Sequence, residues 1–131
     1  MKVLMSVDRA NKSQSMNAAN RALFEKFLSK QGYEWEKVIG CYQEKGQDKP
    51  QREQSYLISP VHHTEENTLL DMAWLFEQYS VLLIGESGTC YLTDSVIKYY
   101  GKIGKWTKVT EEEAKANGHY IETKDGYFIA R

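Results

Sequence analysis

Apolar and polar residues alternate from Lys2 to Asp8, with Val3, Met5 and Val7 on one face, which predicts a first strand. Arg9 to Met16 is polar and reads as a loop. Asn17 then stands at the expected N-cap of a helix over Ala18 to Lys30. Leu23, Phe24, Phe27 and Leu28 form its apolar stripe, and Gly32 ends it. Tyr33 to Gln43 is rich in aromatic and β-branched residues and predicts a second strand. Glu53 to Ser59, closed by Pro60, predicts a third. Thr64 is the expected cap of a second helix, with Glu65 and Glu66 in its first turn and Leu69, Met72, Ala73, Leu75 and Phe76 on its apolar stripe. Ser80 to Ile84 is a short apolar run that suits a buried strand.

This order, β-α-β-β-α-β, predicts a ferredoxin-like α+β fold: an antiparallel sheet with two helices on one face. The chain is read as one domain over residues 1–131, with a core unit over 1–87 and a C-terminal extension over 88–131. In the extension, Thr89 to Thr93 and parts of Val96 to Val109 are strand-like. Thr110 caps a short helix, Glu111 to Asn117, which Gly118 stops. Lys124-Asp125-Gly126 predicts a closing hairpin. The extension is expected to lengthen the sheet or to reach a neighbouring subunit.

Composition narrows the function classes. The 131 residues are 41% hydrophobic and 27% charged, with a formal net charge of −1, so no bulk field draws the chain to nucleic acid or to an anionic membrane. No stretch approaches the roughly 20 apolar residues of a membrane span. Polar Ser6, Asp8 and Arg9 interrupt the start before a signal sequence can form, so a cytoplasmic location is expected. Cys41 and Cys90 read as buried thiols rather than a disulfide.

Few familiar catalytic motifs are present. His62 and His63 are adjacent and lack metal-ligand spacing, so no metal is expected, and no motif here calls for a cofactor. No local signature supports pairing either cysteine with a histidine. Gly85-Glu86-Ser87-Gly88 is not a phosphate loop and reads as a turn at the end of a strand, where it could line a pocket. The bases and aromatics from Lys98 to Trp106 resemble a nucleic-acid surface in composition, but a solvated strand face is the plainer reading.

Two segments stand out. Gly40-Cys41-Tyr42-Gln43-Glu44 and Glu53-Gln54-Ser55-Tyr56 read as two arms of one hairpin around a polar loop with Gly46 and Pro50. Paired antiparallel, Tyr42 falls about opposite Glu53, with β-carbons roughly 5 Å apart. A phenol beside a carboxylate is a candidate site for a cationic small molecule; a surface cross-strand pair is the bland alternative. Arg9, Asn11 and Asn17 lie around the start of the first helix, whose free N–H groups suit a carboxylate. Capping by Asn17 explains the same residues equally well.

Taken together, these features resemble the phage enzymes that destroy S-adenosylmethionine, the SAM lyases, formerly called SAM hydrolases. The resemblance is carried by Ser6-Val7-Asp8-Arg9-Ala10-Asn11 after the first strand, by Asn17, by Gly40 to Glu44, and by Glu53 at the start of the third strand. It continues through the fourth strand, Val81 to Ser87, and more loosely through Gly104 to Val109 and Asp125-Gly126. It implies a homotrimer, reminiscent of PII-type signalling proteins, with sites between subunits. It implies S-adenosylmethionine as substrate, and methylthioadenosine and homoserine lactone as products. It implies catalytic roles for Tyr42 and Glu53. Arg9, Asn11, Asn17, Gln54, Ser55 and Ser87 are the expected substrate-binding positions around them. Phage counter-defence against SAM-dependent restriction and methylation is the implied role. The alternative is a trimeric nucleotide-binding sensor or sponge without turnover.

Overall fold

The computed structural model describes residues 1–42, 48–49, 51–96 and 100–131. Gln43, Glu44, Gly46, Pro50, Lys98 and Tyr99 of the segments singled out above lie outside the described residues, as does the side chain of His63. The elements run β1 (Lys2–Met5), α1 (Gln14–Lys30), β2 (Glu34–Tyr42), β3 (Gln51–Ser59), a 3-10 turn (His63–Glu65), α2 (Glu66–Leu75) and β4 (Ser80–Ile84). They continue β5 (Thr89–Asp94), β6 (Tyr100–Val109), α3 (Glu111–Asn117), β7 (His119–Thr123) and β8 (Gly126–Ala130).

The architecture corrects the ferredoxin-like expectation. The strands form a closed antiparallel barrel in the order β1-β3-β2-β7-β8-β6-β5-β4, not an open sheet. The first four strands do sit side by side as β4-β1-β3-β2. In an open fold, β4 and β2 would be edges with unpaired backbone groups. Here β5 pairs with β4 from Ser80↔Asp94 to Ile84↔Cys90. β7 pairs with β2 from Ile39↔Glu122 to Tyr42↔His119. β6 bridges β5 and β8, and the sheet closes without an edge. Residues 89–130 therefore supply half the barrel wall.

Alternation assigns each strand two faces. Val3, Met5, Tyr56, Ile58, Val81 and Leu83 point outward and are covered by Phe24 and Leu28 of α1 and by Leu69, Leu70 and Ala73 of α2. Phe24 meets the Tyr56 and Phe76 rings edge-on, at 5.3 and 5.9 Å between centroids. A second outer cluster seats Ala114 of α3 on Cys41, Tyr120 and Ile129. The opposite faces turn into the lumen. Leu4, Val38 and Ile121 are buried there, with Leu57, Leu82 and Trp106 packed against them.

Both long helices start differently from expectation. α1 begins at Gln14 and is capped by Ser13, whose hydroxyl accepts from the Met16 N–H at 3.1 Å. Asn17 is a first-turn residue, and its side chain is used elsewhere. Thr64 lies within the 3-10 turn, and α2 has no side-chain cap. α3 is as expected: Thr110 and Glu113 form a reciprocal capping box, and Gly118 ends the helix in the left-handed region. No described helix is long and apolar enough to cross a membrane.

One glycine guards the closure. Gly104 has φ +137°, and a β-carbon there would fall 2.6–2.8 Å from the Arg131 backbone. Arg131 exchanges both backbone hydrogen bonds with Lys105, each at 3.0 Å. Gly104→Ala should cost about 1–3 kcal/mol in urea unfolding through this backbone clash. An unchanged midpoint would mean that the chain end is not seated there.

Candidate active site

The lumen opens at the end where β1, β2 and β5 finish and β3, β4, β6 and β7 begin. A cavity of about 610 Å³ enters there, lined by Leu4, Ser6, Arg9, Tyr42, Glu53, Ser55, Tyr79, Leu82, Leu92, Ile103, Trp106, His119, Ile121 and Phe128, among others. That volume lies inside the range of roughly 300–1,000 Å³ common for small-molecule sites. Its mouth is polar on the side of β1, β2 and β3. Its floor, around Leu4, Leu82, Ile121, Trp106 and Phe128, is apolar.

The hairpin register differs from the sequence reading by two residues. Gly40, not Tyr42, opposes Glu53, and Tyr42 opposes Gln51. Tyr42 and Glu53 still share the lumen face, because the offset is even. Gly40 lets them meet. The Tyr42 ring lies back over it, so that a β-carbon at position 40 would sit 2.6 Å from the phenol oxygen. The hydroxyl pKa is pushed up to about 12, chiefly by burial and then by the Glu53 charge, while a hydrogen bond with Ser55 opposes both.

Glu53 is half-buried, and burial raises its carboxyl above the usual range. The Asp8 charge raises it further and the Arg9 charge opposes them. A carboxylate held in this balance stabilises a bound cation well, because water competes weakly.

The segment after β1 is latched from several sides. Ser6 Oγ donates to the Gln54 carbonyl at 2.8 Å, and the Asp8 N–H donates to Ser6 Oγ at 3.1 Å. Asn17 clamps the Arg9 backbone twice, accepting from its N–H and donating to its carbonyl, both at 3.0 Å. Gln78 Nε2 donates to the Asp8 carbonyl at 2.7 Å, and Arg21 pairs with Asp8 Oδ2 at 2.6 Å. The Arg9 guanidinium lies 5.8 Å over the Tyr79 ring and donates from Nη1 to the Glu77 carbonyl at 3.1 Å. Glu77 has a left-handed φ of 59° as the residue that ends α2, where the Gln78 N–H returns to the Ala73 carbonyl at 2.8 Å and its own N–H to the Trp74 carbonyl at 2.9 Å. Arg9 Nε and Asp8 Oδ1 are buried with no hydrogen-bond partner among the described residues. Arg9 lines the cavity, so its open Nε is an atom that a ligand could complete.

The expected site residues therefore divide. Arg9, Tyr42, Glu53 and Ser55 converge on the lumen. Asn17 and Gln54 stand behind it, holding Arg9 and Ser6. Asn11 is exposed outside the lining. Ser87 is exposed in the β4–β5 turn at the far end of the barrel, where its hydroxyl meets that of Thr89 at 3.0 Å. Ser6, Tyr79, Trp106, His119 and Phe128 were missed by the sequence reading. Ser6 could have been found from the β1 alternation, which puts it on the face of Leu4. Tyr79 follows from the pairing of β4 with β1, and the other three depend on closure. Among the described residues no group of three or more His, Cys, Asp or Glu side chains is placed to hold a metal.

An eight-stranded barrel with a polar-mouthed lumen of this size has room to enclose one small ligand. The chain belongs to the S-adenosylmethionine lyase family, whose model matches residues 3–131. It is thus an enzyme whose family substrate is S-adenosylmethionine. No curated protein matches the chain.

Gly40→Ala should displace the Tyr42 ring from the lumen while leaving the fold intact, since the clash falls on the tip of a side chain. Lyase activity should drop by about tenfold or more, the scale of a mispositioned site group. The thermal midpoint should move little. Full activity in Gly40→Ala would show that the Tyr42 position is immaterial.

Proposed function

We propose that the lumen binds S-adenosylmethionine with its methionine end at the polar mouth and cleaves it by intramolecular displacement. A carboxylate oxygen of the substrate attacks the γ-carbon, the Cγ–S bond breaks, and its electron pair passes to sulfur. Methylthioadenosine leaves, and homoserine lactone remains to open in water to homoserine. No proton moves in this step. The sulfonium is already an activated leaving group, so the enzyme need only fold the methionine chain into attack geometry and exclude water. The observation that carries this reading is the half-buried Glu53 facing the lumen with Tyr42 folded beside it.

Glu53 is assigned to the substrate ammonium. The sulfonium loses its charge in the reaction, so a carboxylate bound to it would favour the ground state. The ammonium keeps its charge and offers a fixed handle. Tyr42 orients Glu53 and packs against the cation. Arg9, with its open Nε, orients the substrate carboxylate. Ser55 holds the Tyr42 phenol in place, and Ser6 ties the segment after β1 to the β3 backbone beside Glu53.

Purified protein mixed with S-adenosylmethionine should release methylthioadenosine, measured by chromatography. Glu53→Gln should lower turnover on the order of a hundredfold, the scale of lost positioning. Its stability should not fall. The folded carboxyl is raised, so the ionised form burdens the fold; that burden is absent below the ordinary carboxylate range and grows as pH rises through the folded value. At neutral pH Glu53→Gln should match or exceed the wild-type melting temperature. For the wild type, kcat/KM should fall on the acid side at a pH above the ordinary glutamate range. Full turnover in Glu53→Gln would refute the assignment. Tight nucleotide binding without product would make the protein a sponge.

The proposed biological role is phage counter-defence in the host cytoplasm, by starving restriction and methylation of their cofactor. A homotrimer with sites between subunits is proposed on the family resemblance. Exposed Tyr79, Leu92 and Ile103 at the mouth, 46–49% accessible, support a neighbouring copy there. Light scattering should give three times the 15.2 kDa chain mass. A monomer would leave the mouth open and refute the shared site.

A further inference from the structure

We propose that the stacked Trp106–Phe128 pair on the lumen floor is the platform for the substrate's purine, and that the base is recognised by its face rather than its edge. This rests on the reading of the lumen as the S-adenosylmethionine site. The two rings come from neighbouring strands. Trp106 pairs with Ala130 and Lys108 with Phe128, so the two side chains are diagonal neighbours on one face. Their centroids are 4.9 Å apart and their planes differ by 9°. The indole is held from two further directions. It packs against the cluster of Leu4, Val38 and Ile121, and its backbone N–H donates to the Gly88 carbonyl at 2.7 Å. Both rings stay partly exposed and both line the cavity.

The two ends of the lumen differ in the same sense as the two ends of the substrate. Arg9 and Glu53 place charge at the mouth, where the ammonium and carboxylate belong. The base is planar, uncharged and remote from the breaking bond, and the floor offers it flat aromatic surface. The floor offers little to its edge. Apart from the bulge at Ile103, nearer the mouth, the backbone groups of these strands are paired along a ladder that closes on itself. The floor side chains described, Leu4, Leu82, Ile121, Trp106 and Phe128, are hydrocarbon apart from one indole nitrogen. Stacking tolerates any base, because each presents a π-face.

Two consequences follow. A substrate carrying hypoxanthine in place of adenine should be accepted. Methylthioadenosine, which keeps the purine, should inhibit competitively, whereas homoserine lactone has no platform and should not. The test compares kcat/KM for S-adenosylmethionine and its deaminated, hypoxanthine-bearing analogue, then repeats it in Trp106→Leu and Phe128→Leu. The analogue should stay within about tenfold of the parent. Each variant should raise KM by about tenfold, the scale of one lost stacking contact, with kcat nearly unchanged. Methylthioadenosine should quench wild-type tryptophan fluorescence, and Trp106→Phe, which keeps a ring in the floor, should lose that quench.

A loss beyond about a hundredfold for the analogue would overturn the proposal, since an edge would then be read. So would an unchanged KM in Trp106→Leu, or a quench that persists in Trp106→Phe. The binding arm is independent of turnover. A wild-type protein that shows the Trp106-dependent quench but releases no product would refute the proposed reaction and sustain the platform. If the leucine variants do not fold, the quench and the analogue comparison still decide.

Discussion

Closure of the barrel is the constraint on which everything else depends. β1 to β4 bring Ser6, Tyr42, Glu53 and Ser55 to one face, but a face is not a pocket. The pocket exists because β7 pairs along β2 and β5 along β4, which folds the second half of the chain over that face. The closing half supplies the far wall, with Trp106, His119 and Phe128. Neither half alone holds the site. Closure also removes both sheet edges, so the backbone is satisfied internally and the lumen can be dry at its floor.

A second layer fixes the polar side chains. Arg9 is a long, mobile side chain in isolation, and orienting it costs entropy. That cost is met before any ligand arrives. Asn17 locks the backbone of Arg9, the Glu77 carbonyl takes one guanidinium N–H, and Tyr79 lies beneath the cation. The end of α2, where Glu77 is left-handed, sets the carbonyl that Arg9 uses. Gly40 does the same for Tyr42 by omission, leaving the space its ring occupies.

Much of the local structure was legible in the sequence, because it rests on local rules. Alternation marked β1, the stripe of Phe24 and Leu28 marked α1, and Thr110 with Gly118 bounded α3. The pairing of Tyr42 and Glu53 on one face was legible too, since parity survives a register error of two. What failed were choices between equivalent local signals. Ser13 and Asn17 are both good N-caps, and tertiary bonds to Arg9 drew Asn17 away. Closure itself was illegible. Short strands such as His119–Thr123 look the same whether they lengthen an edge or meet the far edge of the sheet. Ser87, Trp106 and Phe128 follow from that. Their places relative to the cavity depend on which end of a barrel is open, and strand patterns carry no such information.

The scarcity of catalytic motifs fits the proposed chemistry. Most enzymes must generate a nucleophile or stabilise a charge that grows, and the groups that do so leave a signature. In the proposed reaction the attacking and leaving groups belong to one molecule, and their opposite charges cancel as the bond forms. A transition state that loses charge needs no oxyanion hole. It gains from surroundings that solvate the separated ions less well than water does. An apolar lumen with charge confined to its mouth meets that requirement. The polar residues are needed only where charge persists through the reaction, at the ammonium, and to set the angle of attack. On that reading Glu53, Tyr42 and Arg9 at the polar mouth, above an apolar floor, can suffice, and the barrel matters as much as the residues it carries.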